Sequence, residues 1–143
     1  MAEAATPSSS RPPHPATVAD IMERALTTAR ATDHIAAAAY LMKHAHTTAL
    51  VVLDAETDRP VGIVTDTDVS HVVADGKDVE NVRISDVMTR DPTVVGTGTS
   101  IREAAELLVA GHFRHLPVVD ASGIAGIVDV NVVCRALLGP DEG

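Results

Sequence analysis

Thr65 and Asp68 stand three residues apart, where the apolar run Val61 to Val64 meets a stretch of helical patterning, Asp66 to Ala74. That spacing puts both side chains on one face of the first helical turn. An ionised carboxylate there can accept hydrogen bonds from two neighbouring hydroxyls. A threonine hydroxyl beside it can donate to an anion drawn to the positive end of the helix. The same pair also makes an ordinary cap, with Thr65 closing the helix and Asp68 complementing its dipole, and the two roles are both open at this level. A second group concentrates positive charge in an acidic chain: Arg114 and His115, with His112 close by. A guanidinium can hold an anion in a two-point pair; a solvated ion pair with an Asp or Glu is the plainer alternative.

Other chemistries find little to work with. The chain has seven histidines, but His44 and His46 are two apart, a spacing that splits them between helix faces. His112 and His115 are three apart with no cysteine or carboxylate at a convincing ligand spacing, so no metal site is expected. There is no Gly-x-Ser-x-Gly, P-loop or zinc signature, and no catalytic residues are expected. Cys134 is the one cysteine; it permits no internal disulfide and is expected to pack within the last helix.

The elements that must position these residues come in two similar sets. Val18-Ala19-Asp20-Ile21-Met22 returns as Ile84-Ser85-Asp86-Val87-Met88, and Leu50-Val51-Val52-Leu53-Asp54 as Leu116-Pro117-Val118-Val119-Asp120, both at an offset of 66. Gly62-Ile63-Val64 returns as Gly126-Ile127-Val128 at 64, so the second copy has a shorter turn. A unit repeated once does not make an open stack. The two copies are expected to pack on each other with approximate two-fold symmetry and to hold any ligand between them.

Within each copy the order of elements is the same. Ordered structure is expected from Thr17, a cap for a short turn holding Ile21 and Met22. A short extended piece, Leu26 to Ala29 or Thr93 to Val95, precedes a helix. Asp33 is the expected cap of the first, whose apolar positions Ile35, Ala38, Ala39 and Met42 follow helical spacing; Ser100 and Glu103 have capping-box spacing before Ile101, Ala104, Ala105 and Leu108. Two apolar strands follow, Ala49 to Leu53 and Val61 to Val64, matched by Leu116 to Val119 and Ile124 to Val128. A final helix closes each copy, Asp66 to Ala74 and Val130 to Leu138. The fold class is α/β (α+β), with the unit β-α-β-β-α. Residues 1–15, rich in Ala, Pro and Ser, read as a flexible tail; residues 16–80 and 81–140 form the two domains.

Composition narrows the partners. At 143 residues the chain suits one ordinary domain-sized body, 45% hydrophobic but only 1% aromatic. The core must be built from aliphatic side chains, and no aromatic platform is offered to single-stranded bases. A net charge of -9 opposes a phosphate backbone, so nucleic acid is not an expected partner. No apolar run approaches the roughly 20 residues that span a bilayer, and the expectation is a soluble, cytoplasmic protein.

Taken together, Asp86-Val87-Met88-Thr89-Arg90-Asp91-Pro92, Arg114-His115-Leu116-Pro117-Val118-Val119-Asp120 and Gly62-Ile63-Val64-Thr65-Asp66-Thr67-Asp68, in order and repeated, resemble a tandem pair of cystathionine-β-synthase (CBS) domains. Such a pair is called a Bateman module, and the match runs from about Thr17 to Leu138. The resemblance implies a regulatory module that binds AMP, ADP, ATP or S-adenosylmethionine between the two repeats and signals to a downstream protein. No cofactor is required. It also implies a homodimer formed through helical faces. The alternative is a structural, dimerising module whose pockets have decayed.

Carried onto this chain, the resemblance makes Asp68 the grip for ribose hydroxyls and Thr65 a phosphate donor, with Arg114 and His115 reaching the phosphate. Adenine walls are expected at Thr28, Ala29, Val51 and Val52 in the first site, and at Val94, Val95, Pro117 and Val118 in the second. The second copy departs from the pattern: Asp129 replaces Thr65 and Val132 replaces Asp68. Valine cannot hold hydroxyls and a carboxylate repels phosphate, so the second site is expected to be degenerate or to select a ligand without phosphate, such as the sulfonium of S-adenosylmethionine.

Overall fold

The structure, a computed structural model, describes residues 16–24 and 27–139. The expected tail 1–15 and Leu26 lie outside the described residues. A 3-10 turn, Val18–Asp20, opens the chain behind Thr17. Two short strands follow, β1 (Glu23–Arg24) and β2 (Thr28–Arg30), then helix α1 (Ile35–Ala45), strands β3 (Ala49–Leu53) and β4 (Pro60–Thr65), and helix α2 (Asp66–Ala74). The second copy supplies α3 (Ile84–Val87), β5 (Thr89–Arg90), β6 (Val95–Gly96), α4 (Ile101–Gly111), β7 (His115–Asp120), β8 (Gly123–Asp129) and α5 (Val130–Leu138).

Among the described residues these strands form two four-stranded sheets, ordered β2-β3-β4-β5 and β1-β8-β7-β6. Neither sheet is made by one copy alone. Thr89 and Arg90 of the second copy pair antiparallel with Ile63 and Gly62 of the first. In exchange, Glu23 and Arg24 pair with Ile127 and Gly126. The cores follow the exchange. Ile84 and Met88 are buried with Ile35, Met42, Leu50 and Val64, whereas Val18 is buried with Ile101, Leu108, Leu116 and Val128. Full burial of a side chain such as Ile84 is worth about 1.5–3 kcal/mol, so each copy's opening segment is held chiefly by the other.

The glycines at the start of the Gly-Ile-Val motif are explained by this interlock. A Cβ added at Gly62 would lie 2.4 Å from Met88 Sδ and 2.9 Å from the Thr89 carbonyl oxygen. One added at Gly126 would lie 2.6 Å from the Glu23 carbonyl oxygen and 2.7 Å from Met22 Sδ. The methionine that ends one copy's first motif therefore seats on the glycine that begins the other copy's last motif.

Helix ends show where local chemistry prevailed. Ser100 accepts from the Glu103 amide at 3.0 Å, as capping chemistry predicts. Asp33 does not cap α1. The cap position is His34, without a side-chain bond, and the Ile35 and Ala36 amides donate to the Val82 and Val79 carbonyls, each at 2.9 Å. Asp33 accepts from the Arg30 amide instead. With backbone acceptors already at the helix start, the carboxylate is released to close the preceding turn. The stripes behave alike: Ile35, Ala38 and Met42 are buried on α1, and Ile101, Ala104 and Leu108 on α4. Cys134 is exposed rather than packed, because Val133 takes the buried position of α5.

Candidate functional site

The two strand-to-helix junctions converge on one cleft of about 650 Å³ between the copies, within the roughly 300–1,000 Å³ common for small-molecule sites. From the first copy it takes Ile63, Thr65, Asp66, Thr67 and Asp68; from the second, Thr89, Phe113, Arg114, His115, Asp129 and Asn131. Cross-strand register aims the junctions together. Ala49 lies opposite Thr65 in the first sheet, and His115 opposite Asp129 in the second.

Thr65 and Asp68 form a reciprocal capping box. The Thr65 amide donates to Asp68 Oδ2 at 2.8 Å, the Thr65 hydroxyl donates to the same oxygen at 3.1 Å, and the Asp68 amide donates to Thr65 Oγ1 at 3.3 Å. The structural role is therefore real. It does not exhaust the carboxylate, since the bonds its oxygens accept from Thr65 both use Oδ2. Asp129 caps α5 in the same place, its Oδ1 accepting from the Val132 amide at 2.9 Å. Two helix N-termini thus meet at the cleft, each adding partial positive charge.

His115 is half-buried between them. Burial pushes its pKa down, the Asp129 carboxylate pulls it up, and Arg114 lowers it further, with Asp66 acting weakly upward. His112 has a different task. It ends α4 in the left-handed conformation at φ 57, as His46 ends α1 at φ 55, a position where His is tolerated better than bulky or branched residues.

The expected site residues divide. Thr65, Asp68, Arg114, His115 and Asp129 come together on the cleft. The adenine walls do not join them. Val51 lines a separate groove of about 340 Å³ with Glu23, Thr27, Thr47, Ala49 and Ile127. Ala29 is buried in the first core, Thr28 pairs with Val51 inside the sheet, and Pro117 is buried opposite Ile127. Val94 is 42% exposed and lines neither the cleft nor that groove. Exchange of the edge strands turns the first copy's helix start toward Phe113, Arg114 and His115 of the second.

The crossing repeats on the other side, where Asp129 and Val132 meet Thr47, Thr48 and Ala49 in a recess of about 80 Å³ that shares Glu23, Thr47, Ala49 and Ile127 with the groove at Val51. Asp66, Thr67 and Asn131 were missed as cleft residues. The offset of 64 that matches Asp129 to Thr65 also matches Asn131 to Thr67, so the repeat carried that signal.

Comparison with known proteins bears on this architecture. The CBS domain family model matches residues 18–75 and 84–139. The chain belongs to the CBS domain family. It is a tandem pair, and its two sheets with flanking helices match the solved CBS-pair structures. CBSX2 of Arabidopsis thaliana, crystallised in complex with AMP, is 32% identical with a TM-score of 0.66, covering 85% of this chain and 96% of that one. A hexameric CBS-CP12 protein from bloom-forming cyanobacteria is 29% identical with a TM-score of 0.75, covering 86% and 68%. A 17.7 kDa protein of Acidianus ambivalens is 35% identical over 105 residues, 73% of this chain and 62% of its own length. The chain thus spans about three fifths of that relative. Among the described residues no helix is long and apolar enough to cross a membrane, and no three His, Cys, Asp or Glu residues are grouped to hold a metal.

Proposed function

We propose that this CBS pair is a regulatory module that binds an adenosine-containing ligand in the cleft joining Thr65 and Asp68 to Arg114 and His115, and passes the bound state to a protein partner. The observation that carries this reading is the convergence, on one cleft of about 650 Å³, of a carboxylate, a guanidinium and two helix N-termini. Asp68 Oδ1 would take ribose hydroxyls while Oδ2 keeps the cap. Arg114 and the amides at the helix starts would meet phosphate. The AMP complex of CBSX2 supports the ligand class. No catalytic chemistry is proposed for these residues. The module would act in the cytoplasm as a homodimer, covering exposed helical residues such as Tyr40 at 61% and Val109 at 73%.

The second cleft favours a different ligand. Glu23 and Asp129 border it beside Val132, so it would reject phosphate and suit a cationic or neutral adenosine compound such as S-adenosylmethionine. A complex with phosphate lying against Asp129 in that recess would disprove this. The competing reading is a structural dimerisation module with decayed pockets, favoured by Val132 and Asp129 in place of Asp68 and Thr65.

Thermal shifts with AMP, ADP, ATP, S-adenosylmethionine and adenosine, on wild type and Asp68→Ala, test the main reading. A ligand at 100 times its Kd stabilises the fold by about 2.7 kcal/mol. Because Asp68→Ala also opens the capping box, the increment on adding ligand is the quantity to compare. Its loss in the variant supports the sensor; no increment with any ligand in wild type selects the structural module.

A further inference from the structure

We infer that the main cleft selects a ligand with one phosphate over those with two or three, and that Asp66 and Asp129 set this limit. The inference rests on the adenosine reading above and concerns what that reading leaves open.

Size does not decide the matter, since about 650 Å³ accommodates a triphosphate as well as a monophosphate. Charge does. Among the described residues lining the cleft, Asp66, Asp68 and Asp129 carry negative charge, Arg114 carries positive charge, and His112 and His115 are the remaining titratable groups. Burial holds His115 below its ordinary range, so near neutral pH it adds little positive charge. Arg114 remains charged throughout.

Both carboxylates border the cleft. Asp129 is fixed by its bond to the Val132 amide. Asp66 begins α2, its amide donating to the Thr48 carbonyl at 3.0 Å, and it is an exposed residue lining the cleft. A single phosphate carries about 1.5 to 2 negative charges, which Arg114 and the two helix N-termini meet against the standing charge of Asp66, Asp68 and Asp129. Each further phosphate meets Asp66 and Asp129 without a second cation, and like charges at close range repel.

Titration calorimetry with AMP, ADP and ATP in magnesium-free buffer at low ionic strength tests the inference on wild type and on the double variant Asp66→Asn/Asp129→Asn. Asparagine caps helices about as well as aspartate. In wild type, AMP is expected to bind at least about tenfold more tightly than ATP, the order expected for one unmatched charge pair. In the double variant the gap narrows through a gain in ATP affinity. If the variant does not fold, the salt dependence of the wild-type ratio serves instead, because screening relieves repulsion and narrows the gap. ATP binding as tightly as AMP, a gap unchanged in the folded variant, or a ratio indifferent to salt would overturn the inference while leaving the adenosine reading intact. Failure of every adenosine compound to bind would remove both.

Discussion

Replacing Gly62 by alanine tests whether the two copies are interlocked as described. The new Cβ would meet Met88 Sδ at 2.4 Å, Met88 Cγ at 2.9 Å and the Thr89 carbonyl oxygen at 2.9 Å. Ordinary carbon contacts begin near 3.5 Å, so the sulfur must move by about 1 Å and the β5 backbone by about half that. Met88 is only 9% exposed and sits in the first core, which leaves little room. Such overpacking costs about 1–3 kcal/mol. The loss of unfolded-state freedom on replacing glycine returns about 0.4–1 kcal/mol. The net expectation is a destabilisation of about 1–2 kcal/mol, or roughly 3–10 °C in Tm for a domain of this size. Urea unfolding with a fitted m-value is the assay. Gly98→Ala, with no atom within 4 Å of the added carbon, is the control and should be neutral or slightly stabilising. Met88→Ala alone opens a cavity. Combined with Gly62→Ala it should cost at least about 1 kcal/mol less than the sum of the two single changes, because the methyl then fills space the sulfur has left. An unchanged or raised stability for Gly62→Ala, or strict additivity in the pair, would refute the interlock.

The remaining expectations concern the cleft and the caps. His115 has its pKa lowered chiefly by burial, against the pull of Asp129 and, more weakly, Asp66. The unfolded chain therefore binds more protons here than the fold does, and stability should fall as pH drops below about 6.5 toward the folded value. In His115→Gln the decline in Tm between pH 7.5 and 5.5 should be shallower than in wild type. Ser100→Ala, which removes a cap bond on the α4 amide of Glu103, should cost about 0.5–2 kcal/mol by urea unfolding without altering any ligand-induced thermal shift. Leu108→Ala, fully inside the second core, should cost about 2–5 kcal/mol. Asp58→Ala breaks an ion pair with Arg30 whose partners are 68% and 45% exposed, so it should change stability by no more than about 1 kcal/mol through that pair.

Much of this architecture was legible in the residues. The repeat offsets aligned the stripes of α1 and α4, and strands of unbroken apolar character implied cover on both faces. The closing helices, Asp66 to Ala74 and Val130 to Leu138, were read to the residue because a polar cap follows an apolar strand in both copies. What periodicity could not convey is which copy a short strand joins. Glu23–Arg24 and Thr89–Arg90 are two residues each, too short to show alternation, and their partners lie far away in sequence. The expected adenine walls Val51 and Ala29 belong to Asp68's copy but do not line its cleft, which takes Phe113, Arg114 and His115 from the other copy. Asp33 misled differently, since a carboxylate before a helix is a good cap only when no backbone carbonyl already serves the first amides.

The exchange of edge strands also bears on how such a chain could arise. A half-length ancestor, with one methionine-bearing segment and one glycine-bearing strand, would have no second copy in its own chain to receive that segment. Its sheet would end on an open edge until an identical molecule took the strand and returned its own in two-fold fashion. By this geometry such an ancestor would have needed a second, identical molecule to complete its sheets, and duplication would have joined the two in one chain. Fusion then released them from identity. In a symmetric pair every substitution appears at both junctions at once, whereas in one chain Asp129 and Val132 can differ from Thr65 and Asp68.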